Sequence, residues 1–170
     1  MHMPTSQTAK SPERPTPSSQ KASNEGSKLS NFLCFAVYSA NLAFGRAYKP
    51  ILDKLGLTYT QYIAMVALSD ADDQTVGALG EKLFLESNTL TPILKKLESM
   101  GYIRRQRDPA DERQVRVSLT PAGRNVVETD PGAALLEATG LGEDFPVVQK
   151  TVARLRDNLL QATQAKPGKS

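Results

Sequence analysis

Two groups of residues in this sequence have types and spacings that could do chemistry. The first is a single thiol: Cys34 is the only cysteine among 170 residues and sits in "NFLCFAVYSANLAFGRAYKP" (31–50), an otherwise apolar and aromatic run. A free cysteine is either a small buried hydrophobe or, where its thiolate is stabilised and reachable, a nucleophile that peroxides oxidise. The second group is a cluster of guanidinium groups, Arg104, Arg105, Arg107, Arg113 and Arg116, within "YIRRQRDPADERQVRVSL" (102–119). Such a cluster suits a polyanion. One cysteine makes no internal disulfide, and with His2 as the only histidine neither a zinc cluster nor a His-based catalytic constellation can be assembled. We therefore expect no metal, no cofactor and no enzymatic activity.

The elements that must position these groups can be read from periodicity. Residues 1–28 are rich in Pro, Ser, Thr, Lys and Gln with almost nothing apolar, so they cannot offset the entropy of ordering and read as a disordered tail. From there Leu29, Leu33, Ala36, Ala40, Ala43, Ala47 and Ile51 recur at spacings of three and four, one face of a long helix that ends near Leu55-Gly56. "TYTQYIAMVALSD" (58–70) is a second helix capped by a threonine, and "TVGALGEKL" (75–83) a shorter third, capped by Thr75. In "ESNTLTPILKKLESMG" (86–101) Leu90, Ile93, Leu94, Leu97 and Met100 form an apolar stripe, with Gly101 as its stop. Pro92 is tolerated close to the first turn, which places that helix's start among Ser87 to Thr89.

Val115, Val117 and Leu119 alternate with Arg116 and Ser118, and "DPAD" is a turn cluster, so residues 102–119 form a basic β-hairpin. Thr120-Pro121 then opens another helix, closed by Asp130-Pro131-Gly132. A terminal helix from Phe145 carries Val148, Val152, Leu155 and Leu159 as a narrow seam suited to a partner helix. Two short helices followed by an arginine-bearing hairpin is the order of a winged helix-turn-helix. The expected fold is mainly α with a small β-hairpin wing, and the expected partner is double-stranded DNA. Ser87, Asn88, Thr89, Thr91, Lys95 and Lys96 would face the major groove, while Arg105, Arg107, Asp111, Arg113 and Gln114 of the wing would serve the backbone or minor groove. A net charge of +3 and a pI of about 9.0 permit this without requiring it.

"LTPILKKLESMGYIRRQRDPADERQVRVSLTPAG" resembles the recognition helix, wing and following helix start of MarR-family repressors, in which a D-x-R pattern marks the wing, here Asp111-Glu112-Arg113. Upstream, "LCFAVYSANLAFGRAYKPILDKLGLTYTQY" and "GEKLFLESNTLTP" are similar to the organic hydroperoxide resistance regulators (OhrR), a redox-sensing branch of that family. The resemblance covers residues 29 to about 128. It implies a homodimer on a pseudo-palindromic operator, with Asp111 holding Arg113 for the minor groove. The implied organisation is a tail (1–28), an N-terminal dimerisation helix (29–57), a winged helix-turn-helix (58–119), C-terminal dimerisation helices (120–164) and a second disordered tail (165–170). A cytoplasmic protein with no membrane association is expected, since no leader-like or membrane-length apolar run is found.

For Cys34 the residues alone leave two readings open. Cys34, Tyr38, Asn41, Gly45 and Tyr48 line one helical stripe, polar and aromatic, which a plain core face would not need. Tyr48 cannot reach Cys34 along its own helix, because fourteen residues span about 21 Å. The resemblance implies that tyrosines matching Tyr48 and Tyr59 donate hydrogen bonds to the thiolate of the other subunit and that an organic hydroperoxide oxidises Cys34. The apolar surroundings of Cys34, which include Phe32, Phe35, Val37 and Phe44, offer a pocket for an alkyl or lipid peroxide, assigned to Phe35, Tyr38 and Phe44. Family members with a second, C-terminal cysteine resolve the sulfenic acid as an intersubunit disulfide. This chain lacks one, which implies a one-cysteine sensor that finishes as a mixed disulfide with a low-molecular-weight thiol or as an over-oxidised acid. Two competing readings are a MarR-type repressor released by a phenolic ligand with Cys34 inert, and a thiol peroxidase carrying a basic hairpin.

Overall fold

The computed structural model describes residues 28–130 and 133–164, and these divide between two compact units, Met1–Ser39 and Ala40–Ser170. The expected tails, apart from Lys28, and the Pro131-Gly132 break lie outside the described residues. Helix α1 spans Leu33–Leu52, preceded by a 3₁₀ turn at Lys28–Asn31. The helix therefore begins one turn later than the expected Leu29, in keeping with the helix-terminus character of the Ser30-Asn31 pair. The alanine face of α1 is not covered within the chain: Leu33, Ala36, Ala40, Ala43 and Ala47 are exposed, and only Ile51 is half-buried.

In the second unit, a 3₁₀ turn at Asp53–Leu55 is stopped by Gly56 in the left-handed region (φ +66°), and α2 follows at Tyr59–Asp70. Its start is a capping box: the Gln61 N–H donates to Thr58 Oγ1 (3.3 Å) and the Thr58 N–H to Gln61 Oε1 (2.8 Å). That reciprocity explains how a glutamine can be buried there. Tyr62, Ala64, Met65, Ala67 and Leu68 are also buried, so α2 is the central helix of the core rather than a surface one.

After α2 come β1 (Gln74–Thr75), α3 (Val76–Leu83), α4 (Ser87–Ser99), β2 (Ile103–Arg107), β3 (Val115–Leu119), α5 (Pro121–Glu128), α6 (Ala133–Ala138) and α7 (Phe145–Gln164), and of these α3, α4, β3 and α5 pack against α2. The hairpin was expected with two strands, but the sheet has three, antiparallel and in the order β1-β3-β2. Two residues, Gln74 and Thr75, carry no alternation that could announce a strand. Leu90, Leu94 and Leu97 of α4 meet Leu68, Leu79, Ile103 and Val117 in one core. Gly101, at φ +76°, reverses the chain into the hairpin, with its N–H donating to the Glu98 carbonyl (2.9 Å). Thr120 caps α5 and Pro121 opens it. The seam of α7 is uncovered, with Val148, Val152 and Leu159 exposed. No helix among the described residues is long and apolar enough to cross a membrane.

One close approach ties α5 to the hairpin base. A Cβ added at Gly123 would lie 2.0 Å from the Tyr102 carbonyl oxygen, whereas one at Gly77 would meet nothing nearer than 3.9 Å. Gly123→Ala should destabilise the protein by about 1–3 kcal/mol through overpacking against backbone. Gly77→Ala should be neutral or slightly stabilising. Thermal unfolding of both variants checks this, and equal melting temperatures would refute it.

Candidate functional site

The turn between α3 and α4 is built by close contact and a left-handed residue. A Cβ at Gly80 would meet the Leu85 carbonyl at 2.8 Å, Phe84 adopts φ +56°, and the Leu85 N–H donates to the Gly80 carbonyl (2.9 Å). The Arg156 guanidinium of α7 lies 4.8 Å from the centroid of the exposed Phe84 ring, a cation–π contact that nothing in the sequence announced. With Leu90, Leu94 and Leu97 turned inward, α4 leaves Ser87, Asn88, Thr89, Lys95 and Lys96 exposed and Thr91 half-buried. The Thr91 hydroxyl donates back to the Ser87 carbonyl (2.6 Å) and that of Thr89 to Asn88 Oδ1 (3.3 Å). Helix α4 begins at Ser87, within the range expected from Pro92, which lies in its second turn. The proline withholds an N–H from the Asn88 carbonyl at an exposed position, where that carbonyl is not shut away from solvent.

Strand alternation sorts the arginines of the wing. Ile103 is buried, so Arg105 and Arg107 share its face and lie opposite Val117 and Val115, while Arg104 lies on the other face opposite Ser118. Arg105 is held by Glu98 of α4: its Nε donates to Oε2 (3.0 Å) and its backbone N–H to Oε1 (3.2 Å). Arg116 reaches Asp108 Oδ2 (3.1 Å) and Asp73 Oδ2 (3.0 Å). One nitrogen of Arg107 donates to the Glu112 carbonyl (2.9 Å). Among the described residues, the guanidinium groups of Arg104 and Arg113 have no partner and are exposed. Asp111 acts on Arg113 through the backbone, accepting its N–H at Oδ1 (3.0 Å) and the Gln114 side-chain amide at Oδ2 (3.1 Å). The Arg113 side chain is exposed at the wing tip that Asp111 holds.

Ser87, Thr91, Arg105, Arg113 and Gln114 line a cleft of about 450 Å³ together with Thr75 and Gly77 at the start of α3, two residues that sequence reasoning assigned only to a cap and a helix. The Arg105 guanidinium holds the Glu98 carboxyl below its ordinary value, against the opposing effect of burial. The Ala110 N–H and then Arg116 do the same for Asp108. Both carboxylates remain charged in the neutral range.

In the first unit Cys34 is exposed and not core. With Leu29, Phe32, Phe35 and Tyr38 it lines an apolar hollow of about 290 Å³. Phe44, expected in this pocket, is exposed and does not line it. In the second unit Tyr48 packs on Tyr59 (ring centroids 4.9 Å apart) and on Tyr62 (6.0 Å). Tyr62 was not singled out in the sequence, where it reads as a core residue of α2. Burial pushes the Tyr48 and Tyr59 phenols up, and for Tyr48 the charges of Tyr59 and Asp130 add to it. Both stay neutral O–H donors over the whole range in which a thiol ionises.

Comparison with known proteins is consistent across sequence and structure. Residues 46–129 match the family model described as transcriptional regulator SarA/Rot. The organic hydroperoxide resistance transcriptional regulator of Bacillus subtilis (strain 168) is 41% identical over 137 residues, covering 79% of this chain and 93% of that protein. Two crystal structures of AbfR, a protein of Staphylococcus epidermidis, are similar. Reduced AbfR bound to DNA has a TM-score of 0.67 at 33% identity, covering 81% of this chain and 98% of that one. Over-oxidised AbfR bound to DNA has a TM-score of 0.62 at 34% identity, covering 77% and 94%.

The raised tyrosine values carry a sign. The folded chain holds these protons more tightly than the unfolded one, so the stability they contribute is full below the ordinary value of 10.0 and is lost as pH rises through the folded values. An ultraviolet titration of wild type minus the Tyr48→Phe/Tyr59→Phe variant should show phenolate appearing above pH 10.0. A difference curve centred at or below that value would refute the buried-donor description.

Proposed function

The chain belongs to the organic hydroperoxide resistance branch of the MarR family of transcriptional regulators, and from that premise we propose that it is a one-cysteine repressor released from its operator when an organic hydroperoxide oxidises Cys34. The observation that carries the proposal is the exposed thiol in an apolar hollow, Cys34 beside Phe32, Phe35 and Tyr38. An apolar wall favours an alkyl or lipid hydroperoxide over hydrogen peroxide. In the reaction the Cys34 thiolate attacks the terminal peroxide oxygen. An S–O bond forms, the O–O bond breaks, and the leaving alkoxide takes a proton to become the alcohol. Sulfur is oxidised by two electrons to the sulfenic acid.

We assign the DNA contacts to α4 and the wing: Ser87, Asn88, Thr89, Thr91, Lys95 and Lys96 to the major groove, and Arg113, presented by Asp111 and Gln114, to the minor groove, with Arg107 beside it. Arg104 joins this set on the strength of its unpaired, exposed guanidinium. Homodimerisation is supported by the uncovered apolar residues of α1 and α7, among them Leu33, Phe35, Leu42, Phe44, Val147, Val152 and Leu160. In such a dimer Tyr48 and Tyr59 of one subunit stabilise the thiolate of the other by donating hydrogen bonds to it. The protein acts in the cytoplasm, where a low-molecular-weight thiol condenses with the sulfenic acid, forming a mixed disulfide and releasing water. That bulky adduct is the trigger, since the relative AbfR is found on DNA even when over-oxidised. It forces the helices carrying the two wings apart and spoils their spacing.

Cys34→Ser should bind the protein's own upstream DNA as wild type does and ignore an alkyl hydroperoxide supplied with a small thiol, because a serine hydroxyl does not ionise near neutrality or enter the oxidation series. Gel-shift titration of both proteins tests this; release of the serine variant as readily as wild type removes Cys34 as the sensor and favours a ligand-released repressor. Tyr48→Phe and Tyr59→Phe should each slow oxidation of Cys34, followed by thiol trapping, with reduced-state DNA affinity preserved. Rates equal to wild type in both would remove the tyrosines from the mechanism.

A further inference from the structure

We propose that Glu98 and Arg105 form a clamp that sets the wing against α4, and that Arg105, although it belongs to a basic wing, positions the DNA-binding surface instead of touching DNA. This rests on the reading of α4 and the wing as the DNA-binding surface. Strand alternation puts Arg105 on the same face as buried Ile103 and directly opposite Val117, which is fully buried, so its side chain is directed at α4. There it meets both oxygens of one carboxylate. Its backbone N–H donates to Glu98 Oε1 (3.2 Å), its Nε to Oε2 (3.0 Å) and its Nη2 to the same oxygen (2.5 Å). The pair is partly solvated, with side-chain exposures of 24% for Arg105 and 38% for Glu98. Among the described residues, no other side-chain hydrogen bond joins α4 to β2.

The geometry explains why such a clamp is needed. Only Met100, Gly101 and Tyr102 separate α4 from β2, and Gly101 holds a left-handed conformation that acts as a pivot. β3 is anchored to the body by β1 and by the Arg116–Asp73 pair, but β2 is an edge strand. The wing tip lies five strand residues beyond the base, roughly 17 Å away, so a tilt of about 10° at the base shifts it by about 3 Å. That displacement exceeds the tolerance of a hydrogen bond to phosphate or base. Glu98 also carries a negative charge on a surface meant for a polyanion, and Arg105 neutralises it locally. Arg104 and Arg113, on the other face and at the tip, remain for the duplex.

The test is operator affinity of the full-length reduced protein measured as a function of salt. A lost phosphate contact lowers the slope of log K against log salt by about 0.9, and Arg113→Ala is the comparator expected to reduce it. Arg105→Gln should weaken binding about tenfold, in the middle of the range for residues coupled in one network, with the salt slope unchanged. Glu98→Gln should weaken binding similarly. The exchanged pair, Glu98→Arg with Arg105→Glu, should recover most of the loss. Should Arg105→Gln fail to fold by circular dichroism, Arg105→Lys keeps the charge while losing the fork, and should show reduced affinity at an unchanged slope. A slope lowered as in Arg113→Ala, tighter binding by Glu98→Gln, or wild-type affinity in all these variants overturns the clamp alone. Absence of binding by the wild type overturns the DNA-binding reading and the clamp with it.

Discussion

The hairpin hangs from one pinch of backbone between Tyr102 and Thr120. The Tyr102 carbonyl accepts the Thr120 N–H (3.0 Å), and the Thr120 hydroxyl lies 2.7 Å from the Gly101 carbonyl and 3.1 Å from that of Tyr102. A hydroxyl has a single proton, which these two carbonyls share, and its lone pairs remain for the Gly123 N–H that begins α5 (3.1 Å). The stop after α4, the base of the sheet and the start of α5 are thus closed by one threonine. Gly123 is required because α5 runs so near the Tyr102 carbonyl. The whole basic surface is cantilevered from this point, which is why small changes at its base matter far out at Arg113.

The ion pairs around the wing are better understood as placement than as stability. Arg116 between Asp73 and Asp108, Arg124 on Asp72, and Arg105 on Glu98 are all partly solvated, and exposed pairs of this kind contribute little to folding. They do decide which positive charges face outward. Five arginines lie in the hairpin, yet Arg105 and Arg116 are paired by carboxylates and Arg107 is bonded to the Glu112 carbonyl. A count of arginines therefore overstates the charge the wing can offer to a duplex.

Much of this was legible beforehand. Thr58, Thr75 and Thr120 announced their helices because side-chain capping is a local interaction, and the alternation of Val115, Val117 and Leu119 announced β3 because one buried face imposes a period of two. For Arg105 the same alternation, counted from Ile103, puts its side chain on the buried face of the strand; what sequence could not supply was Glu98 as its partner, seven residues back across a reversal. β1 escaped notice because its pairing with β3 is made by backbone groups that any residue type carries. Phe44 was placed with Phe35 and Tyr38 by composition alone, and a helix spreads such residues around its circumference.

The thiol end of the chain obeys a different logic from the wing. Around the wing apolar residues find partners within the chain, as Leu90, Leu94 and Leu97 do, whereas Phe32, Leu33, Phe35 and Val37 around Cys34 stay exposed. A thiol in such a place has an apolar approach for a substrate, walled by Leu29, Phe32 and Phe35. Tyr48 and Tyr59 are donors held neutral by burial, already packed on each other and spaced to act as a pair. On the function proposed above, the apolar approach and the polar activation belong to different subunits, so reactivity would depend on assembly. The dimer that places two wings on one operator would then be the same one that brings Tyr48 and Tyr59 to the partner's thiol, joining sensing and DNA binding in one assembly.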